Sequence, residues 1–252
     1  MGHQQHPLHV LHLSITSGTS RPGPEGSPFS SVIMVLELII QPQNFDFSFL
    51  AMKPIKECSI DKPEEVLSSV ESLRDVEGLL VLKMNRLGLI NIPQSTWKLK
   101  SLERLYVRRN QLTDVSPNIV QLIHLRRLVL SANPLTRFPE SVCSTSQLTH
   151  LYVDECKLID LPASFASLQQ LKTLSMDENL LEELPDVICE LKQLEELSVM
   201  GNKLTTLPRE IVNLQRLREI DISWNAFRVF PSVLDRLVNL SVIRANHNQF
   251  PH

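Results

Sequence analysis

From Leu79 onward the chain repeats every 23 residues with no insertion or deletion. Repeat starts fall at Leu79, Leu102, Leu125, Leu148, Leu171, Leu194, Leu217 and Leu240. Three places on stand Leu82, Leu105, Leu128, Leu151, Leu174, Leu197, Ile220 and Ile243. Five places on stand Met84, Val107, Leu130, Val153, Met176, Val199, Ile222 and Ala245. Asn holds the eighth place at 110, 133, 179, 202, 225 and 248, with Leu87 and Cys156 as departures. Pro holds the fourteenth at 93, 139, 162, 185, 208 and 231. A fixed period of this kind marks a stack of small units, none of which buries its apolar face alone.

The spacing inside one copy fixes what the unit is made of. Apolar residues at places three and five alternate with polar ones, which is the period of a short strand with one buried face. The Asn amide at place eight can serve backbone groups that a tight turn leaves unpaired. Pro suits the first turn of a short helix, where a missing N–H costs nothing. Ile188 and Leu191, or Ile211 and Leu214, three and six places after a Pro, then turn back toward the strand.

A stretch such as LPDVICELKQLEELSVMGNKL (184–204) fits the form LPxxIxxLxxLxxLxLxxNxL. This resembles the leucine-rich repeat, in its 23-residue intracellular Ras-group class, over residues 79–252 and about seven and a half copies. That class includes Ras-pathway scaffolds, the Ras suppressor and scribble-like polarity proteins. The resemblance implies an α/β solenoid with a curved parallel β-sheet on its concave face and short helices on its convex face. It is specific for fold and poorly specific for function.

Outside the repeats, residues 1–55 show none of the period and are expected to be a flexible segment. GTSRPGPEGSP (18–28) is rich in Gly, Pro and Ser. The apolar run SVIMVLELII (31–40) contains Glu37 and is too short for a membrane span, which needs about 20 residues. His3, His6, His9 and His12 recur in threes, but Pro7 breaks any helix that would align them, so a polar tail is expected and no metal site. Residues 56–78 are expected to form a capping helix or degenerate repeat, started by Asp61 with Glu64 three residues later. No C-terminal capping unit is visible before His252.

The net charge of −3 gives no global basic surface for nucleic acid. Four cysteines at 58, 143, 156 and 189 show no paired spacing, so a reducing compartment is expected, the cytoplasm or the nucleus. No GxSxG, HExxH, Gly-rich phosphate loop or CxxC is present, so no enzyme and no cofactor is expected.

Places two, four, six and seven face outward on the concave side. Early copies put Lys83, Arg86, Arg104, Arg108, Arg109 and Arg127 there; later ones put Asp154, Glu155, Asp177, Glu178, Glu196, Glu219 and Asp221. Solubility needs polar residues but not this segregation by sign. Tyr106, Tyr152 and Trp224 share the same outward places and suit interface anchors, whereas Trp97 falls on the helix side. The expectation is a partner-binding face made of these sixteen residues. The partner is expected to be a protein, and the resemblance points to small-GTPase, kinase or phosphatase complexes. A structural or self-associating protein, or the recognition part of a larger enzyme complex, remain the alternatives. A long nucleic acid would be repelled by the acidic half.

Overall fold

A computed structural model describes residues 10–17, 32–39 and 80–251, the first two stretches by backbone alone. There β1 (Val10–Ser17) and β2 (Val32–Ile39) pair antiparallel, Val10 opposite Ile39, in a sheet of their own. The rest of 1–55, with His3, His6 and His9, and the expected cap at 56–78 lie outside the described residues.

Residues 80–251 build the stack. Its strands are β3 (Leu80–Lys83), β4 (Leu102–Tyr106), β5 (Arg127–Val129), β6 (His150–Tyr152), β7 (Thr173–Ser175), β8 (Glu196–Ser198), β9 (Glu219–Asp221) and β10 (Val242–Arg244). They form one sheet in chain order, every pairing parallel. The register follows the period: Leu105 pairs with Leu128, Leu128 with Leu151, Leu151 with Leu174. These third-place side chains are completely buried, as are the fifth-place Val107, Leu130, Val153 and Met176.

The other side of each copy is a five-residue 3-10 helix, for example Asp186–Glu190 or Arg209–Asn213. Pro stands at its N-cap rather than inside its first turn; only Pro117, after the capping Ser116, takes the first helical position. The helix stays short because the next Leu of the motif must already enter the core. Leu191 N donates to Ile188 O at 3.0 Å, and both side chains are buried. Helical segments need more room between neighbours than the roughly 4.8 Å of paired strands, so the sheet takes the inner curve.

The eighth-place Asn acts as a clip between copies. Asn179 donates from Nδ2 to Val153 O and Met176 O, both at 2.9 Å, and accepts at Oδ1 from Cys156 N and Leu158 N, at 3.1 and 2.9 Å. One amide thus satisfies four buried backbone groups in two copies, where each unpaired group would cost about 1–3 kcal/mol. Cys156 replaces the clip at one layer with weaker contacts, Sγ to Asp154 O at 3.2 Å and to Leu130 O at 3.6 Å.

Candidate functional site

Places two, four and six reach the outer face by the alternation of the strand. Place seven does not. By alternation it would point into the core, yet Arg86, Arg109, Glu155, Glu178, Trp224 and His247 are exposed. The backbone supplies the reason. Every seventh-place residue is left-handed: Arg86 (φ 60), Arg109 (56), Ala132 (58), Glu155 (54), Glu178 (52), Gly201 (68), Trp224 (56) and His247 (56). A side chain there costs about 1–2 kcal/mol. The cost is offset by hydrogen bonds that carry the ladder past the strand, such as Arg109 N to Ser131 O at 3.0 Å and Glu155 N to Asp177 O at 2.8 Å. Only one of the eight is Gly, so the sequence gives little warning of this turn.

The acidic half is less open than expected from the sequence. Asp154 accepts at Oδ2 from Ser131 Oγ at 2.9 Å, and at Oδ1 from Asp177 N at 3.0 Å and from Ser175 Oγ. Asp177 accepts at Oδ1 from Ser198 Oγ at 2.6 Å and from Met200 N at 2.8 Å. Asn85 does the same for Arg108 N at 2.8 Å. Place six is therefore a second clip between copies, and Asp154 and Asp177 are half-buried parts of it rather than solvated residues awaiting a partner. A signal was available: Asn85, Ser131, Asp154, Asp177, Ser223 and Asn246 are all short polar residues at one place. Burial, with Asp154 and Asp221 nearby, raises the Asp177 carboxyl from 3.8 to about 6, against the opposing pull of its two hydrogen bonds.

All but one of the other acids are also engaged. Asp221 Oδ1 accepts from Ser223 N at 2.8 Å, and Thr173 Oγ1 donates to Glu196 Oε2 at 3.1 Å. Glu219 pairs with Arg244, a cation inside the acidic half that the sequence count overlooked. Glu155 pairs across the sign change with Arg108 at 2.8 Å. Glu178 stays exposed, its Cγ 3.1 Å from where a Cβ on Gly201 would sit.

The basic half differs. Arg104 and Arg127 are Cα partners on β4 and β5, half-buried, and among the described residues neither has a carboxylate partner. Arg86 and Arg109 stand exposed at place seven. The Lys83 ammonium lies 5.4 Å from the Tyr106 ring centre and the Arg127 guanidinium 5.6 Å from that of Tyr152. His150, next to Arg127 in register, is pushed below its ordinary range by burial and then by the Arg127 charge. Trp224 is 57% exposed and stacks on His247, centroids 3.9 Å apart. Trp97 is buried, as its helix-side place implied. Among the described residues no group of three or more His, Cys, Asp or Glu is placed to hold a metal.

The sequence family described as "Leucine-rich repeat region" matches residues 116–249, more than half of the chain. The chain is a leucine-rich repeat protein. Solved structures agree in fold. Internalin C2 from Listeria monocytogenes superposes with a TM-score of 0.59 at 24% identity, covering 68% of this chain and 73% of that one. The ectodomain of the plant receptor kinase GASSHO1/SCHENGEN3 from Arabidopsis thaliana, solved with CASPARIAN STRIP INTEGRITY FACTOR 2, gives 0.55 at 26% identity, over 71% of this chain and 23% of that one. The plant peptide hormone receptor RGFR1, in complex with RGF2, gives 0.51 at 23% identity, over 63% and 26%. This chain thus spans about a quarter of either receptor chain. A search of curated proteins returns no match. The leucine-rich repeat fold suggests a role in protein–protein interaction in general.

Proposed function

We propose that this leucine-rich repeat protein is a non-enzymatic adaptor of the Ras-group class that binds a protein partner across its concave face. The observation that carries the reading is the basic half. Four arginines at 86, 104, 109 and 127 face outward without a carboxylate partner among the described residues, beside Tyr106 and Tyr152. Cations left uncompensated in a fold that engages most of its acids are suited to steering a partner of opposite charge. The two plant receptors were solved with RGF2 and CASPARIAN STRIP INTEGRITY FACTOR 2, which lends the fold's use as a binding surface some weight. The 23-residue form of the repeat supports the Ras-group assignment and, through it, a place in small-GTPase, kinase or phosphatase complexes. Buried, unpaired Cys143, Cys156 and Cys189, their thiols all pushed up by burial, suit a reducing cytoplasm or nucleus.

The test is capture of partners by proximity labelling with wild type and with Arg108→Glu, Arg109→Glu together. Association rate against salt for the recovered partner should fall steeply for wild type, since screening acts over about 8 Å at physiological ionic strength. The variant should associate slowly and with a flatter salt response. Unchanged capture and a rate indifferent to both charge reversal and salt would move the binding site away from this face.

A further inference from the structure

We propose that the basic half binds a phosphomonoester carried on an extended segment of the partner, gripped between Arg104 and Arg127. This rests on the concave-face reading and names the chemistry that the face recognises. The two side chains rise from the same place on adjacent parallel strands, with Cα atoms in register. Paired strands run about 4.8 Å apart, and like charges set opposite one another in this way are destabilising. Nothing on the sheet relieves them: no carboxylate of the described residues pairs with either, and Arg127 has only the Tyr152 ring. The third residue of the row, His150, is held toward its neutral form by burial and by the two arginines, so the row carries two charges rather than three.

The far end of the sheet supplies an internal control. Glu196 and Glu219 occupy the same second place on β8 and β9, also in register and also alike in charge. There Glu219 is paired with the Arg244 cation, and Glu196 accepts a hydrogen bond from the Thr173 hydroxyl. Where this fold sets like charges side by side for its own purposes, it provides the partner itself. At Arg104 and Arg127 it leaves the partner to be supplied from outside.

Charge counting selects the class of anion. Two uncompensated guanidiniums are neutralised by one phosphomonoester, which carries about −1.5 to −2 at neutral pH and three acceptor oxygens for their N–H forks. A carboxylate or a backbone phosphodiester brings one charge. A long polyanion would also run into Asp154, Glu155 and Glu178 farther along the face, whereas a single phosphoryl group would not. Tyr106 and Tyr152 stand at the fourth place on β4 and β6, either side of Val129 on β5, and offer apolar walls to the residues flanking the phosphorylated one.

The experiment probes the full chain against immobilised degenerate peptides centred on phosphoserine, phosphothreonine or phosphotyrosine. Matched libraries carry the unmodified residue or Glu. A phosphorylated library should be retained about tenfold better than the Glu library, and Arg104→Gln with Arg127→Gln should abolish the difference. Arg104→Lys with Arg127→Lys should retain only part of it, because the charge stays and the fork is lost. Thermal unfolding gives a second readout. Arg127→Gln alone should raise Tm in phosphate-free buffer by relieving the repulsion. Inorganic phosphate should raise the wild-type Tm above matched chloride and leave the double Gln variant unmoved. Equal retention of phosphorylated and Glu libraries, phosphate no better than chloride, or a short RNA binding better than any phosphopeptide would each overturn the proposal. A partner captured through Arg108 and Arg109 that survives phosphatase treatment would sink the phosphate inference and leave the concave-face reading standing.

Discussion

On β4 and β5 the second place carries Arg104 and Arg127; on β8 and β9 it carries Glu196 and Glu219. The strands, the register and the buried Leu or Ile beside each are the same. What differs is what happens to the charge. In the acidic half, hydroxyls, backbone N–H groups and Arg244 take up the carboxylates. In the basic half Arg108 reaches Glu155 across the boundary and Arg127 lies over the Tyr152 ring, while Arg86, Arg104 and Arg109 face outward with no carboxylate partner among the described residues. The difference follows from what each group can bond. A carboxylate accepts, and the parallel ladder, which resumes at place seven, leaves the N–H donor of place six to be taken by a side chain. A guanidinium only donates, and the carbonyls there are already used by the neighbouring copy and by Asn. Acids at place six can therefore be put to structural use and arginines cannot. A sign change along a repeat protein is then also a change of job.

If the halves differ only on the outer face, their cores must answer alike. Leu105→Ala under the basic half and Leu174→Ala under the acidic half each remove a completely buried side chain. Each should cost about 2–5 kcal/mol, a lost transfer term plus a cavity, in chemical denaturation. Losses that differ by more than that range would mean the comparison is set by packing and not by charge.

The next effect sets Asp177 against an outward arginine. Asp177→Ala strands the Met200 N–H and the Ser198 hydroxyl, and should cost about 1–3 kcal/mol. Arg109→Ala, exposed and without a partner carboxylate, should stay within about 0.5 kcal/mol. Equal small losses from both would return Asp177 to the solvated role that its outward place first suggested.

These cases show what was legible in the sequence. The eight strands, the core places and the Asn at the turn follow from the period, because core and turn residues must recur from copy to copy, and the parallel order came with the resemblance to the leucine-rich repeat. The outward places followed too, except that place seven is outward by a left-handed turn, for which five different side-chain types besides Gly give no cue. The state of the charges was not legible. Whether Asp154 binds a partner or Asp177 N depends on the neighbouring copy at 3.0 Å, and sign counting along one column cannot register a bond between columns. Arg108 and Glu155 lie in sequence 47 residues apart, and their pairing belongs to the same class.

A smaller effect is a pH signature confined to the acidic half. Asp177 titrates near 6 in the fold against an ordinary 3.8, chiefly through burial. A raised carboxyl binds its proton more tightly folded than unfolded. The stability this gives is fully present below the ordinary value and is lost as pH rises through about 6. Asp177→Asn removes the titration while keeping an acceptor for Met200 N, as Asn85 does for Arg108 N. Its Tm should exceed that of wild type at pH 7.5, and the gap should close as pH falls from 7 to 4. Burial sets most of the gap and the facing charges of Asp154 and Asp221 add to it, so Asp221→Asn in the wild-type background should narrow it slightly. A gap independent of pH would place the Asp177 charge in water.

The smallest effect lies on the boundary itself. Arg108 and Glu155 pair at 2.8 Å, but their side chains are 46% and 38% exposed, so salt and side-chain entropy offset most of the attraction. A double-mutant cycle with Arg108→Ala and Glu155→Ala should give a coupling of about 0.2–1 kcal/mol, falling as salt is raised. Either single change removes one charge from the face and frees its neighbour. Glu155→Ala therefore leaves the basic half one uncompensated arginine richer. If the basic half is the binding surface, Glu155→Ala should speed association with the recovered partner while slightly lowering Tm. Arg108→Ala should slow association with a similar loss of Tm. Opposite effects on rate with like effects on stability would separate recognition from folding at a single ion pair. Two variants that change rate in the same direction would mean that the partner reads the pair as a unit, and that the boundary between the halves, not the basic half alone, is the surface it docks on.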